Sequence, residues 1–136
     1  VYTRCPLPEY CPRTSNNFAE IYRAIKKDPH VLSKIHLLTI SFDPDFDKPQ
    51  VLRSYGTAYA GGKEAFRQWE FATGSAEEVK KMTTFFGLSY WQETGQIIHS
   101  LRTALIAPDG KLAQLYRGND WTSKEVLAQL KRLIGP

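Results

Sequence analysis

Cys5 and Cys11 are the only thiols of the chain, and both lie in the segment Thr3-Arg4-Cys5-Pro6-Leu7-Pro8-Glu9-Tyr10-Cys11-Pro12. A thiolate is the form of cysteine that attacks disulfides and binds soft metals, and a helix N-terminus favours it by turning free N–H groups and a positive dipole end toward the sulfur. Pro12 suits the first turn of a helix, so the segment reads as a short apolar strand through Val1-Tyr2-Thr3, then a loop, then a helix. The strand would fix the first sulfur, and the helix N-terminus would face the second. Two such cysteines can make one disulfide, stand as free thiols or supply half of a metal site. Their separation excludes the usual redox spacing of two intervening residues. A bridge still forms if the loop from Pro6 to Tyr10 folds back and brings the Cα atoms within about 4.4–6.8 Å.

The elements that must position these sulfurs alternate regularly. Phe18, Ile21, Tyr22 and Ile25 recur at three- and four-residue spacing and predict a helix ended by Asp28-Pro29. The apolar, β-branched run from His36 to Phe42 reads as a buried central strand, stopped by Asp43-Pro44. Pro49 opens a second helix with Val51, Leu52 and Tyr55 inward and Gly61-Gly62 at its end. A short strand over Gln68 to Phe71 leads to Ser75, the N-cap of a helix through Val79, Met82 and Phe86 that Gly87 closes. Thr103 to Ala107 and Leu112 to Tyr116 flank the turn Pro108-Asp109-Gly110-Lys111 and predict an antiparallel hairpin. Thr122 or Ser123 caps a last helix burying Val126, Leu127, Leu130 and Ile134. The order predicts an α/β fold: a mixed central sheet with helices on both faces, the three-layer sandwich of the thioredoxin-like architecture.

Size and charge narrow the class. With 136 residues, 42% of them hydrophobic, the chain can bury one good core but not two, so one domain over residues 1–136 is expected. The net charge is +4, but Lys and Arg are scattered rather than gathered in a run, which reads as a solvated surface and not a nucleic-acid face. No stretch is long enough to span a membrane and none resembles a signal peptide. The first residues look like the inside of a strand, so a further segment, carrying any anchor or export signal, is expected upstream.

Other candidate residues have simpler roles. His30 follows a helix exit and should be exposed, while His36 opens a strand as an edge or packing residue. Asp43, Asp45 and Asp47 lack the glycine and terminal glutamate of a calcium loop, so turn formation and helix capping account for them. Trp69, Trp91 and Trp121 read as core or rim packing. The single methionine, Met82, lies on an apolar helix face.

The sequence resembles the Sco/SenC family through Tyr2-Thr3-Arg4-Cys5-Pro6, Cys11-Pro12, Thr39-Ile40-Ser41-Phe42-Asp43-Pro44 with Asp47 and Pro49, and Ile98-His99-Ser100 ahead of a strand ending in Pro108-Asp109-Gly110. The resemblance covers almost the whole chain. It implies a thioredoxin-like copper chaperone serving assembly of the copper site of cytochrome c oxidase, with Cys5, Cys11 and His99 as metal ligands. Two thiolates and an imidazole suit Cu(I), and retaining the nitrogen suits Cu(II). In such a fold the loop carrying His99 lies beside the helix bearing the cysteines. The family motif has three residues between its cysteines where this chain has five, commonly has Asp where Ile98 stands, and commonly has Thr at the place of Lys48.

The resemblance leads to a copper-binding chaperone that releases its ion to a cytochrome c oxidase copper-site subunit or another copper or thiol protein. A monomer in a periplasmic or other extracytoplasmic compartment, membrane-anchored through the upstream segment, is the matching expectation. One alternative is a thiol–disulfide oxidoreductase in which Cys5 and Cys11 form a catalytic redox pair and His99 tunes their reactivity. Against a general disulfide reductase, no proline occurs between Pro49 and Pro108, where such enzymes carry one before the penultimate hairpin. The spacing of Thr3 to Cys5 does not suit a peroxidase of the same fold. The other alternative is a non-catalytic interaction domain with a structural Cys5–Cys11 disulfide.

Overall fold

A computed structural model describes residues 1–136, except for the side chains of Gln96 and Ile98. The elements run α1 (Cys11–Ile25), α2 (Pro29–Leu32), β1 (Leu37–Ile40), α3 (Pro49–Ala60), a 3-10 turn (Lys63–Arg67), β2 (Trp69–Ala72), α4 (Ala76–Phe86), β3 (Tyr90–Glu93), β4 (Gln96–His99), β5 (Arg102–Ile106), β6 (Leu112–Arg117) and α5 (Ser123–Ile134). The α/β class and the order of the expected helices are as the sequence predicts. Ser75 and Thr122 each form a capping box, with Glu78 and Glu125 as the returning carboxylates. Gly87 ends α4 at φ 71°, a left-handed conformation open to glycine at little cost.

Three secondary-structure elements differ from the sequence expectation. Val1-Tyr2-Thr3 is not a strand; Val1 alone pairs, its nitrogen donating to the Ile40 carbonyl at 3.0 Å and its carbonyl accepting from Phe42 N–H at 3.1 Å. Asp28 caps a short extra helix, α2, by accepting from the His30 and Val31 amides. A further hairpin, β3 with β4, precedes the expected one and turns at Gly95, whose φ is 73°.

The strands pair as three two-stranded ladders: β1 with β2 parallel, β3 with β4 antiparallel and β5 with β6 antiparallel. The apolar stripe of α1 buries Ala19, Ile21, Tyr22 and Ile25 against Leu37, Trp69, Leu105, Trp121 and Val126, making the larger core. The buried Trp69 indole donates to Thr39 Oγ1 at 2.9 Å, so its polar atom is satisfied inside that core. Trp121 is also buried, whereas Trp91 lies exposed on β3 and does not take the packing role expected of it. A second, smaller cluster gathers Tyr2, Cys11, Phe42, Val79 and Ile97. Cys5 packs on its edge.

Candidate metal and thiol site

Cys11 is the first residue of α1, and Pro12 follows it in the opening turn. The five residues after Cys5 do fold back. Tyr10 N–H bonds the Leu7 carbonyl at 3.1 Å to close a turn, and Asn119 Nδ2 donates to the Glu9 carbonyl at 2.8 Å, holding the loop from outside. The two sulfurs are consequently close, and both thiols are free.

His99 ends β4 rather than lying in a loop. The hairpin that delivers it is closed at its base by Ser100 N–H to the Ser89 carbonyl and Ser89 N–H to Ser100 Oγ. It is tied to the amino-terminal segment by Ile97 N–H donating to the Tyr2 hydroxyl at 3.3 Å. The imidazole packs against Phe42, with ring centroids 4.8 Å apart, and against the edge of Tyr2 at 5.5 Å. Nδ1 lies 2.6 Å from the Ser100 carbonyl, an acceptor, so Nδ1 carries the hydrogen and Nε2 presents its lone pair. Nε2 in turn stands 3.3 Å from Cys11 Sγ. The ligand atoms of Cys5, Cys11 and His99 all fall within 4.8 Å of one another.

The two thiols are electrostatically unlike. A hydrogen bond from the Cys11 thiol is the largest influence holding Cys5 down to about 4, against the desolvation that opposes it; the Leu7 and Cys11 backbones add to the lowering. The same bond, with burial, pushes Cys11 far up. The thiolate is thus favoured at Cys5, not at Cys11 as the sequence suggests, chiefly through the Cys11 thiol, with the Cys11 backbone at the start of the helix a smaller influence. Cys5 is partly exposed and Cys11 is buried. The pair therefore comprises one accessible thiolate and one protected thiol.

Two carboxylates that sequence reading assigns to turn formation also brace the site. Asp47, fully buried, accepts from Thr3 N–H at 3.0 Å, from the Thr3 hydroxyl and from the Ser41 hydroxyl. Asp43 accepts from Arg4 Nη2 at 2.8 Å, and the Arg4 guanidinium lies over the Phe46 ring at 4.1 Å. Both residues preceding Cys5 are thus anchored. The signal was the basic Thr3-Arg4 step before Cys5 set against two acids in one short loop, but nothing in the sequence joins segments so far apart. His30 is exposed, and His36 bonds Glu70 at 2.8 Å on the surface, so neither approaches the sulfurs. The position of Ile98 relative to His99 lies outside the described side chains.

Fold and site together define a thioredoxin-like domain with two cysteines and a histidine converging beside the first helix. The SCO1/SenC family model matches residues 1–135, and the chain belongs to that family. It is 26% identical over 122 residues to the SCO1 protein homolog of Bacillus subtilis (strain 168), covering 87% of this chain and 59% of that protein. The chain thus spans little more than half the length of the curated relatives it matches. Among solved structures it is similar to a SCO1/SenC family lipoprotein from Bacillus anthracis str. Ames, at 28% identity and TM-score 0.81, covering 98% of this chain and 77% of that one. It is also similar to Bradyrhizobium japonicum ScoI with copper bound, at 26% identity and TM-score 0.74, covering 97% of this chain and 80% of that one. Among the described residues no helix is long and apolar enough to cross a membrane.

Proposed function

We propose that this chain is a copper-binding chaperone domain, holding one copper ion at Cys5, Cys11 and His99 and passing it to a copper-site subunit of cytochrome c oxidase. The observation that carries this reading is the convergence of two sulfurs and an imidazole lone pair within 4.8 Å. Soft thiolates suit Cu(I), and the imidazole nitrogen keeps the set serviceable for Cu(II). Copper is cargo here, so it must also leave. Cys5, partly exposed, is the ligand an incoming thiolate reaches first, while Cys11 and His99 retain the ion from the buried side. Family membership and the copper-bound Bradyrhizobium relative support the cargo. The lipoprotein relative supports an extracytoplasmic, membrane-anchored setting, with residues 1–136 acting as one domain and a monomer.

Titration of the reduced protein with Cu(I) tests this. One equivalent should bind, and His99→Ala should weaken retention while Cys5 and Cys11 still oxidise to a disulfide. Equal retention by wild type and His99→Ala would remove the imidazole from the site.

The contrast between the two thiols favours a second reading, thiol–disulfide exchange. The Cys5 thiolate would attack a partner disulfide, form a mixed disulfide and expel one partner thiolate. Cys11, on losing its proton, would then attack Cys5, releasing the second partner thiolate and leaving Cys5–Cys11 oxidised. Reduction of a partner disulfide by the copper-free protein, abolished in Cys5→Ser, is the result expected of this activity.

A further inference from the structure

Between the two sulfurs, Pro6, Leu7, Pro8 and Glu9 all carry exposed side chains, so burial does not hold them. Pro6 and Pro8 also bring no amide donor. Tyr10 N–H closes a turn on the Leu7 carbonyl, which lies 3.9 Å from Cys5 Sγ, but both contacts are internal to the segment. Among the described residues, one hydrogen bond ties Pro6 to Glu9 to the rest of the fold: Asn119 Nδ2 donating to the Glu9 carbonyl at 2.8 Å.

Asn119 is held on both sides. Before it, Gly118 turns the chain at φ 85°, and its N–H bonds the Leu101 carbonyl at 3.2 Å, just beyond His99. After it, the buried Trp121 packs on Phe18 of α1, with ring centroids 6.3 Å apart, and its carbonyl accepts from Asn17 Nδ2 at 3.4 Å. Residues 118–121 are therefore fastened both to the segment that follows His99 and to the helix that begins with Cys11. The ends of the loop have their own anchors, Thr3 and Arg4 on Asp47 and Asp43, and Cys11 in α1. Its middle depends on one amide.

We propose that Asn119 is a positioning residue for the thiol pair: its bond to the Glu9 carbonyl holds the loop from Pro6 to Tyr10 in the curl that keeps the Cys5 and Cys11 sulfurs together. Unfastened, a loop of solvent-facing residues samples many conformations, and holding it in advance lowers the ordering cost of any event that joins the two sulfurs. Disulfide formation is one such event and retention of a copper ion is the other. The consequence for copper rests on the copper-binding function proposed for Cys5, Cys11 and His99; the consequence for the disulfide does not.

The test compares wild type with Asn119→Ala and with Asn119→Asp, which keeps the size of the side chain but loses the amide donor. Reduced, metal-free protein is equilibrated with glutathione disulfide, so that each Cys5–Cys11 bond formed cleaves one glutathione disulfide into two glutathione thiols. In variants that circular dichroism shows fully folded, this equilibrium constant should fall about fivefold, the size of one net hydrogen bond. Transfer of Cu(I) to an excess of chelator should quicken by a similar factor. An unchanged disulfide equilibrium in either variant overturns the proposal. So does a shifted disulfide equilibrium beside unchanged copper transfer, because a loop that positions both sulfurs acts on both events. A wild type that takes up no Cu(I) defeats the copper function instead, and the disulfide equilibrium then decides the role of Asn119 alone.

Discussion

His99 Nε2 stands 3.3 Å from Cys11 Sγ although the two residues are 88 positions apart in the chain. The contact depends on a hairpin bonded to Tyr2 and on a ring wedged against Phe42, so the imidazole is set by packing before any ion arrives. Its orientation is further fixed by the Ser100 carbonyl, which leaves the correct nitrogen facing the sulfurs.

Cys5 reactivity should already be near its plateau at neutral pH. With the thiol held down to about 4, its alkylation by iodoacetamide should be half-maximal near that pH in the reduced protein, while Cys11 stays unreacted until the protein unfolds. Replacing Cys11 by alanine removes the principal hydrogen bond and should move the Cys5 midpoint upward. An unchanged midpoint in Cys11→Ala would show that another group sets the thiolate.

The same shift has a stability consequence of definite sign. The folded pKa of Cys5 lies below the ordinary value of 9.0, so its contribution is complete above that pH, declines as pH falls and is gone below about 4. Urea midpoints of reduced wild type and Cys5→Ser should therefore differ most under alkaline conditions and converge as the pH approaches about 4. A gap that widens toward acid would reverse the assignment.

Asp47→Ala should destabilise the protein by about 3 kcal/mol, because it strands the part-buried Thr3 amide and hydroxyl and the buried Ser41 hydroxyl. Asp47→Asn keeps one acceptor oxygen and should cost about half as much. If the carboxylate also orients the Cys5 loop, Asp47→Asn should slow Cys5–Cys11 disulfide formation under conditions where the protein remains fully folded. Denaturant melts and thiol titration separate the two effects.

Tyr2→Phe removes the acceptor of the Ile97 amide and should cost about 1 kcal/mol in global stability. Its larger effect should be local. Exchange of amides in β3 and β4 should quicken, and Cu(I) retention should fall more than the stability change alone accounts for.

Much of the fold was legible in local chemistry: Ser75 and Thr122 mark helix starts, Gly87 marks an end, and Pro108-Asp109-Gly110 marks a hairpin. The β3–β4 hairpin escaped because its turn, at Thr94-Gly95, is a weak signal and its outer strand leaves Trp91 exposed instead of showing a buried alternation. For the site, the residue types and their resemblance to a family motif named Cys5, Cys11 and His99, but not which sulfur is the thiolate. That depends on which thiol is buried and which stays partly exposed beside it, a matter of tertiary approach. The clamp of Asp47 on Thr3 was hidden for the same reason: it joins residues 44 positions apart.

The loop between the cysteines resolves into a turn at Leu7 to Tyr10, fastened by Asn119 and directed outward. The side chains of Leu7, Pro8 and Glu9 face solvent, while the Leu7 carbonyl accepts from Cys5 Sγ at 3.9 Å. Side-chain replacements at those three positions that keep the Leu7–Tyr10 turn and the Asn119 bond should therefore alter the outer face of the loop without changing the spacing of the two sulfurs behind it.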